Sequence, residues 1–490
     1  MQRLTLLDRK QLAVVLVFFL GALTYRSIIA YLRFVQVGAF IGDWDDVLYY
    51  KTAVFLSQHS YVDMFTQTTD LLYFYSMGYP VALSLVFRIA GASESVAVAA
   101  NILLGATTVC VTYMLAREMF QTDLAGISAA CFLLVLPAAI YGNVMILADT
   151  LFLFLALLAS LFYFRALRSG RGSDLLLLFL SSALCVFVRN EAILILAVFL
   201  VHAVCFERKD LICLARRRET ALGAIMFIFM MIPQLLFNAI YHGGPFVTGY
   251  AYWLGRSSPP PTWPDGIQPP FDLQQGIELM PQTFAYNLSH IFSAQFLSPL
   301  LIFWVVVGFY SLAGHTARKT IVFSLLWVTM LMSLYSLFLA GVAPGGAGPN
   351  DRYALPAGFP LLLLGGEGIA WIGTREYGKI RRQKRLSIAL FAYVLAMLAT
   401  TIPQAYLCFN HLSNALPYFE WAWFMGGTDS SRWLGMDVGH SLDLASIMIG
   451  ALVYPIFAVV TAVILASETR NGPVKKDAHA SPISRKEHIS

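Results

Sequence analysis

Apolar residues fill this chain in runs of about twenty, separated by short polar or basic segments. A helix needs ~20 apolar residues to cross ~30 Å of hydrocarbon. The pattern therefore predicts spans at 11–32, 96–116, 124–142, 147–166, 174–190, 191–206, 220–241, 297–314, 320–341, 354–372, 386–408 and 443–466. A further apolar piece, Met77–Ala90, has only 14 residues. Pieces that short are more often re-entrant or interfacial than spanning. The first run, Gln11–Leu32, follows a basic start and is too long for the core of a cleavable signal, so it reads as the first span.

Charge decides the topology. Short cytoplasmic loops collect Lys and Arg. If 77–90 does not cross and the N-terminus is inside, the inner segments are 1–10, 117–123, 165–173, 207–219, 315–319, 373–385 and the tail from 467, and they hold 25 of the 33 Lys and Arg. Two clusters settle the choice, Arg216-Arg217-Arg218 and Arg381-Arg382-Gln383-Lys384-Arg385, because a full crossing by 77–90 would place both outside. The same logic splits 174–206 into a hairpin.

The expected fold is all-α and polytopic, with twelve to thirteen transmembrane helices, one of them a short re-entrant or interfacial piece, and both ends inside. Outer loops fall at 33–76, 242–296, 342–353 and 409–442 and form an extracytoplasmic cap. Residues 1–372 read as the functional module, 373–466 as C-terminal spans, and 467–490 as a polar, disordered cytoplasmic tail.

Composition sharpens this picture. Hydrophobic residues make up 58% and charged residues 12% of the 490, whereas a soluble domain carries roughly 25% charged residues. The net charge of +5 resides in separate clusters between spans, which is a topological pattern and not a nucleic-acid surface. The six cysteines lie mostly in apolar runs without a CxxC and read as small core hydrophobes.

The candidate chemistry lies in the outer loops. The first contains Gly42-Asp43-Trp44-Asp45-Asp46, three carboxylates within four residues. Asp45, Tyr49 and Ala53 recur every four residues and share one face of a helix. Neighbouring carboxylates close to lipid suit proton abstraction. An acidic helix start stabilised by the helix dipole fits the same residues. Asp149 opens a long apolar helix from the same side and reads as an N-cap or as a second functional acid. Arg189-Asn190-Glu191 breaks the 174–206 hairpin, as a structural Arg–Glu pair or with Arg189 as a phosphate ligand. The loop 343–353 has three Gly and two Pro and ends at Arg352-Tyr353, where Arg352 is an interfacial anchor or a bidentate partner for a lipid phosphate. The loop 242–296 carries Tyr250 and Arg256 among aromatics and prolines, fitting a lid or the wall of a sugar pocket. It also contains Asn287-Leu288-Ser289, an N-glycosylation tripeptide. No Walker loop, GxSxG or HExxH occurs, and no histidine pair has metal-ligand spacing.

The order of these features resembles the GT-C superfamily of membrane glycosyltransferases, in particular the protein O-mannosyltransferase and lipid A aminoarabinose transferase group. The resemblance runs from the first span to about residue 372. It is carried by Asp45-x-x-x-Tyr49-x-x-x-Ala53, by Met77-Gly78-Tyr79-Pro80 where the family has Pro-x-Tyr-Pro, by Asp149, by Arg189-x-Glu191, and by Arg352-Tyr353 before a Leu-rich span with Pro356 and Pro360. The resemblance implies a polyprenyl-phosphate sugar donor and a lipid, glycan or protein acceptor approaching from outside. Asp45 would be the general base of an inverting attack, with Asp43 and Asp46 as alternatives. Arg352, with Arg189, would neutralise the phosphate; Asp149 would bind acceptor, water or a metal. Some relatives use a divalent metal and others none. The expected location is a bacterial inner or plasma membrane, or the endoplasmic reticulum membrane. A transporter or flippase of a lipid-linked sugar and an inactive assembly subunit are the competing readings.

Overall fold

The computed structural model of the chain describes residues 9–37, 44–66, 76–248, 273–291, 299–312, 318–342 and 351–374. They are helical, with no strand among the described residues. The expected spans 386–408 and 443–466, the loop 409–442, the Arg381–Arg385 cluster and the tail lie outside them.

The first span is α1 (Arg9–Val37). Two shorter helices follow, α2 (Trp44–Gln58) and α3 (Gly78–Ala90), with a short 3₁₀ turn at Tyr61–Phe65 between them. They pack on each other, α2 burying Leu48, Tyr49, Ala53 and Leu56. Then come α4 (Glu94–Phe120), α5 (Asp123–Val135), α6 (Pro137–Val144), α7 (Asp149–Ser169), α8 (Gly172–Val188), α9 (Ala192–Phe206), α10 (Arg208–Ala215) and α11 (Arg218–His242). After residues 249–272, which lie outside the described residues, come α12 (Leu273–Ile291), α13 (Pro299–Ser311), α14 (Arg318–Val342) and α15 (Asp351–Thr374).

Among the described residues, five helices are long and apolar enough to cross a membrane: α1, α4, α7, α11 and α14. Five shorter apolar helices are α3, α5, α8, α9 and α15. The hairpin expected over 174–206 is α8 and α9, parted at Arg189-Asn190-Glu191.

Local chemistry explains the boundaries. Ser93 and Thr122 cap α4 and α5 by accepting from Val96 N and Ala125 N. The expected single span 124–142 is instead two helices. Pro137 has no N–H to donate and its ring excludes the carbonyl four residues back, so Leu136 goes extended and α6 starts afresh at Pro137.

The expected loop 242–296 contains the helix α12, which packs along α14. Its Gln, Glu278 and Pro281 interrupt the apolar run, which hides it from a reading of hydropathy. Asn287 is buried there and donates to Ser336 Oγ at 3.1 Å. The glycosylation tripeptide is therefore locked in a helix interface and not presented.

Close helix contacts use glycine. A Cβ at Gly308 on α13 would stand 2.0 Å from the Leu364 carbonyl oxygen of α15. One at Gly368 would stand 2.2 Å from the Trp304 carbonyl, and one at Gly366 would stand 2.7 Å from the Ala125 carbonyl of α5. Helix α15 thus lies at backbone contact between α13 and α5, as small residues allow in lipid.

The two ends of the bundle differ in charge. One end carries the ion pairs Arg168–Glu118 at 2.6 Å, Arg165–Asp174 at 3.6 Å and Lys319–Glu207 at 2.5 Å. Asp149 and Ser169 begin and end α7, and a helix of that length is about 30 Å long. Asp149 therefore stands at the opposite end from the basic side chains.

Candidate functional site

The break at Pro137 delivers the site's first acid. Helix α6 ends at Val144, residues Met145–Ala148 turn, and Asp149 is the first residue of α7. The N-cap is Ala148, with no side-chain cap bond, so Asp149 does not serve as the cap that its position suggested. The turn is anchored from α4, where Asn101 Nδ2 donates to the Met145 carbonyl at 2.6 Å. Asn101 Oδ1 accepts from the Tyr79 hydroxyl at 3.2 Å. Tyr79 meets Tyr49 of α2 edge-on, with ring centroids 5.1 Å apart. Tyr79 lies within electrostatic reach of Asp46, Tyr49 and Asp149.

Asp149 pairs with Arg189 through Nη1, and Glu191 pairs with the same guanidinium through Nε. The side chains of Arg189 and Asp149 are only 9% and 7% exposed, so this is a buried triad and not a surface pair. Of the two readings of the Arg-x-Glu segment, the structural Arg–Glu pair is present, and the arginine also holds a distant acid. The backbone supports the placement. Arg189 is extended at the end of α8, its N–H bonded to the Cys185 carbonyl at 2.9 Å. Its guanidinium carbon lies 5.6 Å from the Phe152 ring centre and 5.7 Å from that of Tyr353, within cation–π range.

A cavity of about 200 Å³ opens beside the triad. Tyr49, Arg189, Glu191, Tyr335 and Tyr353 are on its wall, with Ser76 and Thr248 at its polar edge. Tyr335 and Tyr353 stand 4.9 Å apart. The Tyr335 hydroxyl is buried and has no hydrogen-bond partner among the described residues.

Of the acids predicted from sequence, Glu191 lines this cavity and Asp149 stands behind Arg189. Asp45 and Asp46 share the first turn of α2; Asp45 is half-buried and Asp46 is 0% exposed. Tyr49 and Tyr353 line the cavity. Arg352 lies in the first turn of α15, next to Tyr353. Asp43, Tyr250 and Arg256 lie outside the described residues.

Sequence reasoning missed Tyr335 and the anchoring role of Asn101. Tyr335 sits in an apolar run where one more aromatic carries no signal. Among the described residues no cluster of three His, Cys, Asp or Glu side chains could hold a metal ion. Asp149 and Glu191 both point their charge at Arg189 and not at a shared centre, so this donor set does not fit a divalent metal.

The sequence profile of the family described as dolichyl-phosphate-mannose-protein mannosyltransferase matches residues 76–237, a segment that includes Ser76, Arg189 and Glu191 of the cavity wall. No curated protein matches the chain. Two crystal structures of ArnT from Cupriavidus metallidurans, one in the apo state and one bound to undecaprenyl phosphate, are similar to it. Each has a TM-score of 0.52 at 14% identity, covering 93% of this chain and 77% of that one. An apo oligosaccharyltransferase from Archaeoglobus fulgidus gives a TM-score of 0.49 at 12% identity, covering 80% of this chain and 55% of that one. The chain thus shares a helical fold with ArnT, and its segment 76–237 matches the profile of the mannosyltransferase family.

Proposed function

We propose that the protein transfers a sugar from a polyprenyl-phosphate donor to an acceptor on the extracytoplasmic face, with inversion at the anomeric carbon. The observation that carries this is the cavity at one end of the bundle, walled by tyrosines and by an arginine fixed between two carboxylates. A similar fold has been crystallised with undecaprenyl phosphate, which fits a prenyl lipid head in such a cavity. The basic side chains at the opposite end support, by the positive-inside rule, a cavity on the outer side.

The charges assign the roles. Arg189 serves Asp149 and Glu191 together, so that triad has no net positive charge to offer a phosphate. The neutralising guanidinium is then Arg352, at the outer start of α15, and Arg189 is a fixed partner that orients the two acids. Tyr353 and Tyr335 present rings and a hydroxyl to the sugar or phosphate. Asp45 is the base: it is half-buried and reachable, whereas Asp46, fully buried, can only support it from behind. Attack by the acceptor hydroxyl displaces the prenyl phosphate, a leaving group that needs only its charge stabilised. A buried cavity wall keeps water from competing. No step runs through a metal.

The test uses the purified full chain in nanodiscs, a panel of undecaprenyl-phosphate sugars bearing labelled mannose, glucose or aminoarabinose, and a membrane extract as acceptor. Transfer with the wild type, loss of transfer with Asp45→Asn, and retained undecaprenyl phosphate binding are expected. Transport of the intact lipid across the bilayer without sugar release would replace this reading with that of a flippase.

A further inference from the structure

We propose that Arg26, on the first span, is a positioning residue for Asp149, acting through Asn143, Thr150 and one buried water. The inference rests on the assignment of Asp149 to the proposed site. Arg26 is 1% exposed on α1, inside a helix long and apolar enough to cross the membrane. A guanidinium there is costly unless it is paired or put to use. Among the described residues Arg26 and Arg189 are the buried arginines, and the buried acids are Asp46, Asp149 and Asp174.

Arg26 reaches the segment that presents Asp149. Its Nε donates to Asn143 Oδ1, and Nη2 lies 3.5 Å from the Leu133 carbonyl. Asn143 Nδ2 donates to Thr150 Oγ1 at 3.0 Å, and Thr150 Oγ1 donates to the Gly142 carbonyl at 2.8 Å. This strut spans the turn between α6 and α7 and ends on the residue beside Asp149. Space for it is set by Gly105 of α4, where a Cβ would come within 1.9 Å of Asn143 Oδ1.

The remaining nitrogen, Nη1, is buried with no acceptor among the described residues. Arg26 lines a small cavity of about 20 Å³ whose wall also includes Thr108, Asn143, Asp149 and Thr150. About 10–15 Å³ suffices for one water, provided it has two to four polar partners. A water there accepts from Nη1 and donates to the oxygens of the opposite wall. Asp149 is thereby gripped on one side by Arg189 and on the other by a cation it does not touch.

Arg26→Met tests this in the full chain in nanodiscs. With the lipid-linked sugar that the wild type turns over, kcat should fall by about tenfold, with donor KM and undecaprenyl phosphate affinity unchanged. The same substitution in an Asp149→Asn background should cause no further loss, which a packing role would not produce. Equal losses in both backgrounds overturn the proposal. Gly105→Ala, which pushes Asn143 aside without touching Arg26, should mimic it and covers a failure of Arg26→Met to fold. Infrared difference spectra in H₂¹⁸O decide the point without turnover. A buried-water band present in the wild type should vanish in Arg26→Met and shift in Gly105→Ala; its absence from the wild type, or its persistence in both variants, overturns the proposal. If Asp149→Asn itself leaves transfer unchanged, the placement of Asp149 in the site fails, and the water band still reports whether Arg26 holds the water.

Discussion

Replacing Arg189 with glutamine leaves two carboxylates, Asp149 and Glu191, without the guanidinium they share. Asp149 is 7% exposed and Glu191 16% exposed, so water can do little to replace it. Removing one partner of a buried ion pair costs about 3–5 kcal/mol, because an uncompensated charge stays behind. Asp149→Asn in the same background removes the more buried of the two charges. It should recover at least half of that loss, although the variant carries one more substitution. Arg189→Lys should recover little, since an ammonium cannot hold two acids in one plane. The assay is equilibrium unfolding of the full chain in mixed micelles, by titration with sodium dodecyl sulfate and circular dichroism. A loss below about 1 kcal/mol for Arg189→Gln would refute the reasoning, as one buried pair should exceed it. A double variant less stable than the single one would show that Asp149 gains nothing from Arg189.

Arg352→Ala should weaken undecaprenyl phosphate binding by about tenfold or more, the scale of a charge-assisted hydrogen bond, while Asp45→Asn leaves it unchanged; isothermal calorimetry in nanodiscs reads both. Gly308→Val should force α13 away from the Leu364 carbonyl and lower stability by about 1–3 kcal/mol, seen as an earlier midpoint in the same detergent titration. The exposed thiol of Cys213, on α10 at the basic end, should react with a membrane-impermeant maleimide only in inverted vesicles. A Thr248→Cys thiol, at the cavity edge, should react only in right-side-out vesicles.

The apolar runs located helices well because a bilayer demands long, uninterrupted stretches. The basic clusters alone separate α8 from α9, since one continuous helix would carry Arg165 and Arg208 to opposite faces. What hydropathy lost was structure made by polar residues or by backbone. The helix Leu273–Ile291 carries Glu278, Pro281 and several glutamines, so its contact with α14 is invisible in the run. The break at Leu136 was legible in principle from Pro137, but the surrounding residues are apolar enough to mask it. Asp149 was found by position, as a cap or a second acid: Ala148 occupies the cap, and the carboxylate pairs with Arg189. That pairing joins residues 40 positions apart, which no local spacing encodes. Arg26 was a signal left unread, a cation inside an apolar run, whereas the free hydroxyl of Tyr335 has no sequence signature at all.

The glycine seam along α15 has a mechanical consequence. Helices held at backbone contact cannot slide or swell by repacking side chains, so the stretch Leu364–Gly368 acts as a fixed clamp. The same rod bears Arg352 and Tyr353 at its far tip, roughly 18 Å away along the axis. A ligand meeting that tip would find a cantilever whose root is set, and little of its binding energy would go into ordering the element that receives it.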